Sequence, residues 1–103
     1  TTPIAIEVSR SIGGIASLTA SVVIVVGLFG AVFGYALLRL VGIKSNMAQS
    51  LAIGNTAHAI GTAKSMEISP RYGAMSGIGL ILNGILTATL TPYILLIMEK
   101  WLD

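Results

Sequence analysis

The sequence predicts an all-α membrane protein, and three observations predict it. Apolar residues make up 54% of the 103 positions and charged residues only 10%, giving a mean hydropathy of +0.90 that an ordinary water-soluble domain does not reach. The charges leave two long gaps, residues 11–38 and 72–98, of 28 and 27 uncharged positions. Each exceeds the ~20 residues a helix needs to cross ~30 Å of hydrocarbon. Between the gaps lies a third kind of segment, rich in Ala, Gly, Ser and Thr, which suits protein neighbours better than lipid. The expected architecture is two long transmembrane helices, a half-length helix and a small-residue polar helix, together half of a transporter-like helical bundle.

The elements follow in order. Thr2 is a good N-cap and Pro3 suits a first helical position, where a missing N–H costs nothing, so a helix is expected over Thr2 to Ile12. At 1.5 Å per residue it would be ~16 Å long, about half a bilayer. Ile4, Val8, Ile12 and Ile15 keep helical spacing, while Glu7, Arg10 and Ser11 share another face. Gly13-Gly14 should break this helix, with Ser17 or Thr19 capping a span from Ser17 to Val41. The middle segment, Ser45 to Met66, has only Met47, Leu51, Ile53, Ile60 and Met66 as large apolar residues. On a regular helix Asn55, His58 and Thr62 lie on one face, flanked by Gly54 and Gly61, and Gly61 is the expected point of loosening. In the last span Gly73 and Gly77 repeat the spacing of Gly30 and Gly34, which reads as close packing within one fold rather than a dimerisation code. Asn83, Thr87, Thr89 and Thr91 precede Pro92 and are expected to bond to nearby backbone.

Polar groups at membrane depth are expensive and are kept for a purpose, so these residues supply the candidate site. His58, the single histidine, is either a packed, hydrogen-bonded core residue or a group that relays a proton or meets an anion. Glu7 is either the counter-charge of Arg10 or a buried proton site. Lys64 either snorkels to the interface or neutralises a bound carboxylate. A half-length helix starting at Thr2-Pro3 would aim free N–H groups and a positive dipole end into the membrane, where Thr1, Thr2 and those N–H groups would hold a carboxylate. Asn55, His58 and Thr62 would form the opposing wall, with Thr62 positioning the far end of the substrate. No metal site or other cofactor is expected, since no second histidine or carboxylate pair completes a ligand set. With no activated serine, no phosphate loop and no cysteine, the chain does not read as an enzyme. Six bases against four acids, scattered, form no nucleic-acid surface. The loop with Arg39 and Lys44 carries two bases and no acid, which points to the cytoplasmic side, but the loop from Lys64 to Arg71 carries two bases as well.

Four ordered stretches, "TTPIAIEVSRSIGGI", "GLFGAVFG", "GNTAHAIGTAKSMEI" and "YGAMSGI", together resemble the C-terminal half of the LrgB/CidB (YohK-like) membrane protein family. The resemblance covers nearly the whole chain and implies one LrgB-like membrane domain over residues 1–103, the C-terminal part of a polypeptide about twice as long. It implies a multi-pass protein of the bacterial cytoplasmic (inner) membrane, in contact with lipid and compatible with a homo-oligomer. Two functions follow from it. One is transport of a small carboxylate such as glycolate, lactate or pyruvate, coupled to a proton. The other is antiholin-like regulation of murein hydrolase activity and autolysis, with a holin-like membrane partner of the LrgA/CidA type. The cost of burying His58, Asn55 and Thr62 favours the carrier.

Overall fold

A computed structural model describes residues 1–102. They form four helices, α1 (Thr2–Ser11), α2 (Ala16–Leu40), α3 (Asn46–Ile68) and α4 (Pro70–Leu102), with no strand among the described residues. The all-α expectation holds, and α2 and α4 are both long and apolar enough to cross a membrane.

Helix α1 starts at Thr2 as expected, with its N-cap one residue earlier than the sequence signals suggest. Thr1, not Thr2, is the N-cap, because its carbonyl accepts the Ala5 amide at 3.0 Å; its hydroxyl makes no capping bond. Pro3 then falls within the first turn, where its missing N–H is harmless. At the far end Gly13 takes φ +79°, a conformation open to glycine at little cost, and the Gly14 amide bonds to the Ser9 carbonyl at 2.7 Å. The chain reverses here and α2 runs back along α1. Neither Ser17 nor Thr19 caps α2. Ile15 holds the N-cap position with extended backbone, and the Thr19 hydroxyl is drawn across to Ser9 Oγ at 2.8 Å.

The largest departure from expectation is in α3. Its start is conventional, with Ser45 Oγ accepting the Ala48 amide at 3.3 Å. At His58 the backbone leaves the helical region for φ 57°, ψ −144°. A straight helix would hold Ser50 and Ser65 ~22 Å apart at 1.5 Å per residue. Instead both approach one hydroxyl: Tyr35 Oη donates to Ser65 Oγ at 2.8 Å and lies 3.1 Å from Ser50 Oγ. Helix α3 is therefore a hairpin of two limbs, 46–57 and 59–68, folded at His58. Gly61 is not the loosening point, because it is the place where the limbs touch. A β-carbon there would collide with Ala57 and Ile53 of the first limb.

The hairpin lies between the two long helices. Along α2, Tyr35 meets the open end of the hairpin, Gly34 faces Ile53, Gly30 faces Ala57, and Gly27 lies against the Ala57 carbonyl and Ile60. Gly27 is near the middle of α2, so the hairpin tip reaches about half its length. Along α4, Gly73 packs on Met66, Ser76 on Gly54, and Gly79 on the Leu51 carbonyl. Further along, Gly84 receives Ile4 of α1. The buried apolar side chains are Ile53 and Ala57 alone among the described residues, joined by buried Gln49, Ser50, Ser65 and Ser76. Close approach of small residues thus takes the place of a large apolar core, as in helices packed within lipid. The large apolar side chains of α2 and α4 point outward; Val25 and Val32 are 65% and 68% exposed.

Candidate functional site

Three elements converge where the hairpin folds: its tip at His58, the N-terminal end of α1, and the middle of α4. Ile4 of α1 packs at Gly84 of α4, next to Asn83. His58 Nδ1 is buried with no hydrogen-bond partner. A backbone break of this kind ends one helix and starts another, releasing carbonyls at the end of the first limb and N–H groups at the start of the second. Asn83 of α4 answers part of that demand by donating its Nδ2 to the Asn55 carbonyl, and Thr87 Oγ1 donates to Asn83 Oδ1 at 3.1 Å. The sequence alone predicts bonds from Asn83 and Thr87 to nearby backbone. The carbonyl freed on α3 draws Asn83 across instead.

The shared face expected for Asn55, His58 and Thr62 does not survive the fold. Asn55 stands on the first limb and Thr62 on the second, and His58 between them is not helical. The Asn55 side chain is exposed and lines a groove of about 320 Å³ with Ala48, Leu51, Ala52, Gly79, Leu82 and Leu86. Thr62 Oγ1 is tied to Ser76 Oγ at 3.0 Å. Thr1 and Thr2 are partly buried at the α1 end of the cluster, and neither hydroxyl makes a capping bond.

The two charged candidates lie apart from this cluster. Glu7 pairs with Arg10 at 2.8 Å and Lys64 with Glu67 at 2.9 Å, each between exposed side chains one turn apart. Exposed pairs of this type contribute about 0–1 kcal/mol. No group of three metal-ligating side chains occurs among the described residues.

A second polar feature lies at the other end of the hairpin, and no local sequence pattern marks it. Tyr35, Ser50 and Ser65 form a hydroxyl knot at the open end of the hairpin, beside Gln49, whose Nε2 bonds to the Ile43 carbonyl and whose Oε1 is buried without a partner. Ser50 and Ser65 also donate to the Asn46 and Gly61 carbonyls, at 2.8 and 2.9 Å. Their distance in sequence hid the knot. A tyrosine within an otherwise apolar span was the available signal, since its hydroxyl requires a partner when buried.

Residues 1–97 match the model of the LrgB-like family. A Haemophilus influenzae protein described as uncharacterized is 46% identical over 94 residues, covering 91% of this chain and 41% of the relative. The holin-like protein CidB of Staphylococcus epidermidis is 41% identical over 94% of this chain and 42% of its own length. The uncharacterized protein YwbG of Bacillus subtilis is 39% identical over 95% of this chain and 44% of its own length. The chain thus spans less than half the length of the curated relatives it matches. No solved structure matches it significantly. With the family model covering all but the last few positions, and with helices of membrane-spanning length where the charge gaps lie, this chain belongs to the LrgB-like family of membrane proteins.

Proposed function

We propose that the intact protein is a holin-like component of the bacterial cytoplasmic membrane that regulates murein hydrolase activity and autolysis, together with a small holin-like membrane protein of the LrgA/CidA type. The observation that carries this reading is the 41% identity to a protein named holin-like CidB over 94% of this chain. The outward apolar faces of α2 and α4 support it, because they suit both lipid and membrane-embedded partners. Deleting the protein should change the autolysis rate and the murein hydrolase activity of intact cells, and the change should require the small partner. Unchanged autolysis with and without that partner would sink the reading.

A second reading rests on the broken helix. A helix broken at His58 and an unpartnered imidazole nitrogen there are elements from which carriers build a central anion site. In this reading the intact protein moves a small carboxylate such as glycolate, lactate or pyruvate, with a proton. Thr1, Thr2 and His58 would contact the anion, and Asn55 and Thr62 would shape the wall. Glu7 and Lys64, both exposed and paired, would serve on the approach rather than in the site. The two readings part in reconstituted vesicles. Flux of labelled carboxylate driven by a proton gradient, lost in His58→Ala with insertion intact, supports the carrier; no flux with wild-type protein leaves the regulator alone.

A further inference from the structure

We infer that α3 is a re-entrant hairpin that enters and leaves the membrane through its cytoplasmic face, with its tip near the bilayer midplane. The inference uses the membrane placement of the family but neither functional reading. Its first support is geometric. Ser50 and Ser65 both reach the Tyr35 hydroxyl near the C-terminal end of α2, while Ala57 and Ile60 reach Gly27 at its middle. Both ends of α3 therefore lie at one end of α2, and the tip goes only halfway down. Helix α4 starts at that same end, where Gly73 packs on Met66. The turn between α1 and α2 lies at the other end, where Thr19 bonds to Ser9.

The second support is charge. If α3 crossed the membrane, the basic loop around Arg39 and Lys44 and the basic loop from Lys64 to Arg71 would face opposite compartments, and their positive charges would give conflicting orientations. The hairpin brings all four bases to one side, together with Glu67, which pairs with Lys64. The opposite side keeps Arg10, paired with Glu7, and Lys100, next to Glu99. Four bases against two, all near helix ends, orient the hairpin's open end toward the cytoplasm, because short cytoplasmic loops carry the excess of Lys and Arg. The fold resolves a contradiction that the linear sequence leaves standing. It also means that this part of the chain crosses the membrane twice, through α2 and α4, while α3 enters halfway from the cytoplasmic face.

The 103 residues contain no cysteine, so introduced thiols report cleanly once any in the remainder of the intact protein are replaced. Val41→Cys, Ile68→Cys and Ser11→Cys stand at exposed positions. In oriented membrane vesicles a membrane-impermeant maleimide should label the first two from the cytoplasmic face and the third from the opposite face. Labelling of positions 41 and 68 from opposite faces means that α3 is a span and overturns the inference; labelling of both from the outer face overturns its orientation. A second arm does not depend on access to reagent. In the intact protein, Ser50→Cys with Ser65→Cys should form an intramolecular disulfide on mild oxidation, read as the loss of both free thiols and a cross-linked peptide. Two thiols that persist under oxidation in folded protein would overturn the hairpin itself.

Discussion

At position 58 a residue with a β-carbon holds a backbone conformation that glycine occupies far more readily, at φ 57°, ψ −144°. Conformations of this class cost about 1–3 kcal/mol and persist when surrounding contacts impose them. Those contacts are visible on both sides: Ala57 is fully buried against Gly30, and Gly61 is buried against Ile53 and Ala57. The imidazole and the backbone can be separated by substitution. His58→Ala removes the ring and keeps the β-carbon, whereas His58→Gly removes both. We expect the glycine variant of the intact protein to be more stable than the alanine variant by about 1 kcal/mol, the relief of strain exceeding the entropy that glycine loses on folding. Denaturant unfolding in detergent micelles measures this. Equal stabilities would mean that the backbone at 58 is not held at positive φ.

At the scale of elements, the hairpin depends on backbones that nearly touch. A β-carbon at Gly54 would overlap the Ser76 carbonyl, and one at Gly79 would overlap the Leu51 carbonyl; neither obstacle is a flexible side chain that can swing aside. Gly54→Ala and Gly79→Ala should each destabilise by about 1–3 kcal/mol, as overpacking does. Gly77 is the internal control. A β-carbon there meets nothing within 4 Å, so Gly77→Ala should be neutral or stabilising by up to about 1 kcal/mol through helix propensity. A common loss at all three positions would argue against this packing. Tyr35→Phe should cost only about 0.6 kcal/mol, because Ser50 and Ser65 keep their bonds to the Asn46 and Gly61 carbonyls. The glycines also explain what was legible. The two spans and the half-length α1 stood out because lipid forbids charge over ~20 residues and because Pro3 and Gly13-Gly14 punctuate the chain. The fold at His58 did not stand out. Glycine draws attention as the place where a helix bends, yet Gly54 and Gly61 serve close approach, and the bend falls on a residue whose local preference is against it. The candidate site was legible in the same partial way. Residue types marked His58, while Asn83 and the Tyr35 knot are set by contacts across 28 and 30 positions that no local pattern encodes.

At the scale of the whole molecule, Ile53 and Ala57 are the buried apolar side chains among the described residues, so lipid or the remainder of the intact protein must cover the outward apolar faces. The exposed valines, leucines and phenylalanines of α2 and the matching face of α4 suit lipid, where an unpaired polar backbone is prohibitive and helical limbs on both sides of the break at His58 are favoured. The same physics assigns different tolerances along one helix. Val25 lies near the middle of α2 and is 65% exposed, whereas Val41 follows its last residue and is 72% exposed. Exposure is similar, but depth is not. Val25→Lys should therefore disfavour insertion of α2 by about 2.5–3.5 kcal/mol, the penalty for a lysine at a helix centre, while Val41→Lys should change insertion little because its ammonium reaches the interface. The fraction of α2 inserted, read by glycosylation of acceptor sites on either side of the segment, measures both. If lysine at 25 were tolerated as well as lysine at 41, then α2 would not span the membrane, and the midplane position assigned to the tip of the hairpin would lose its reference.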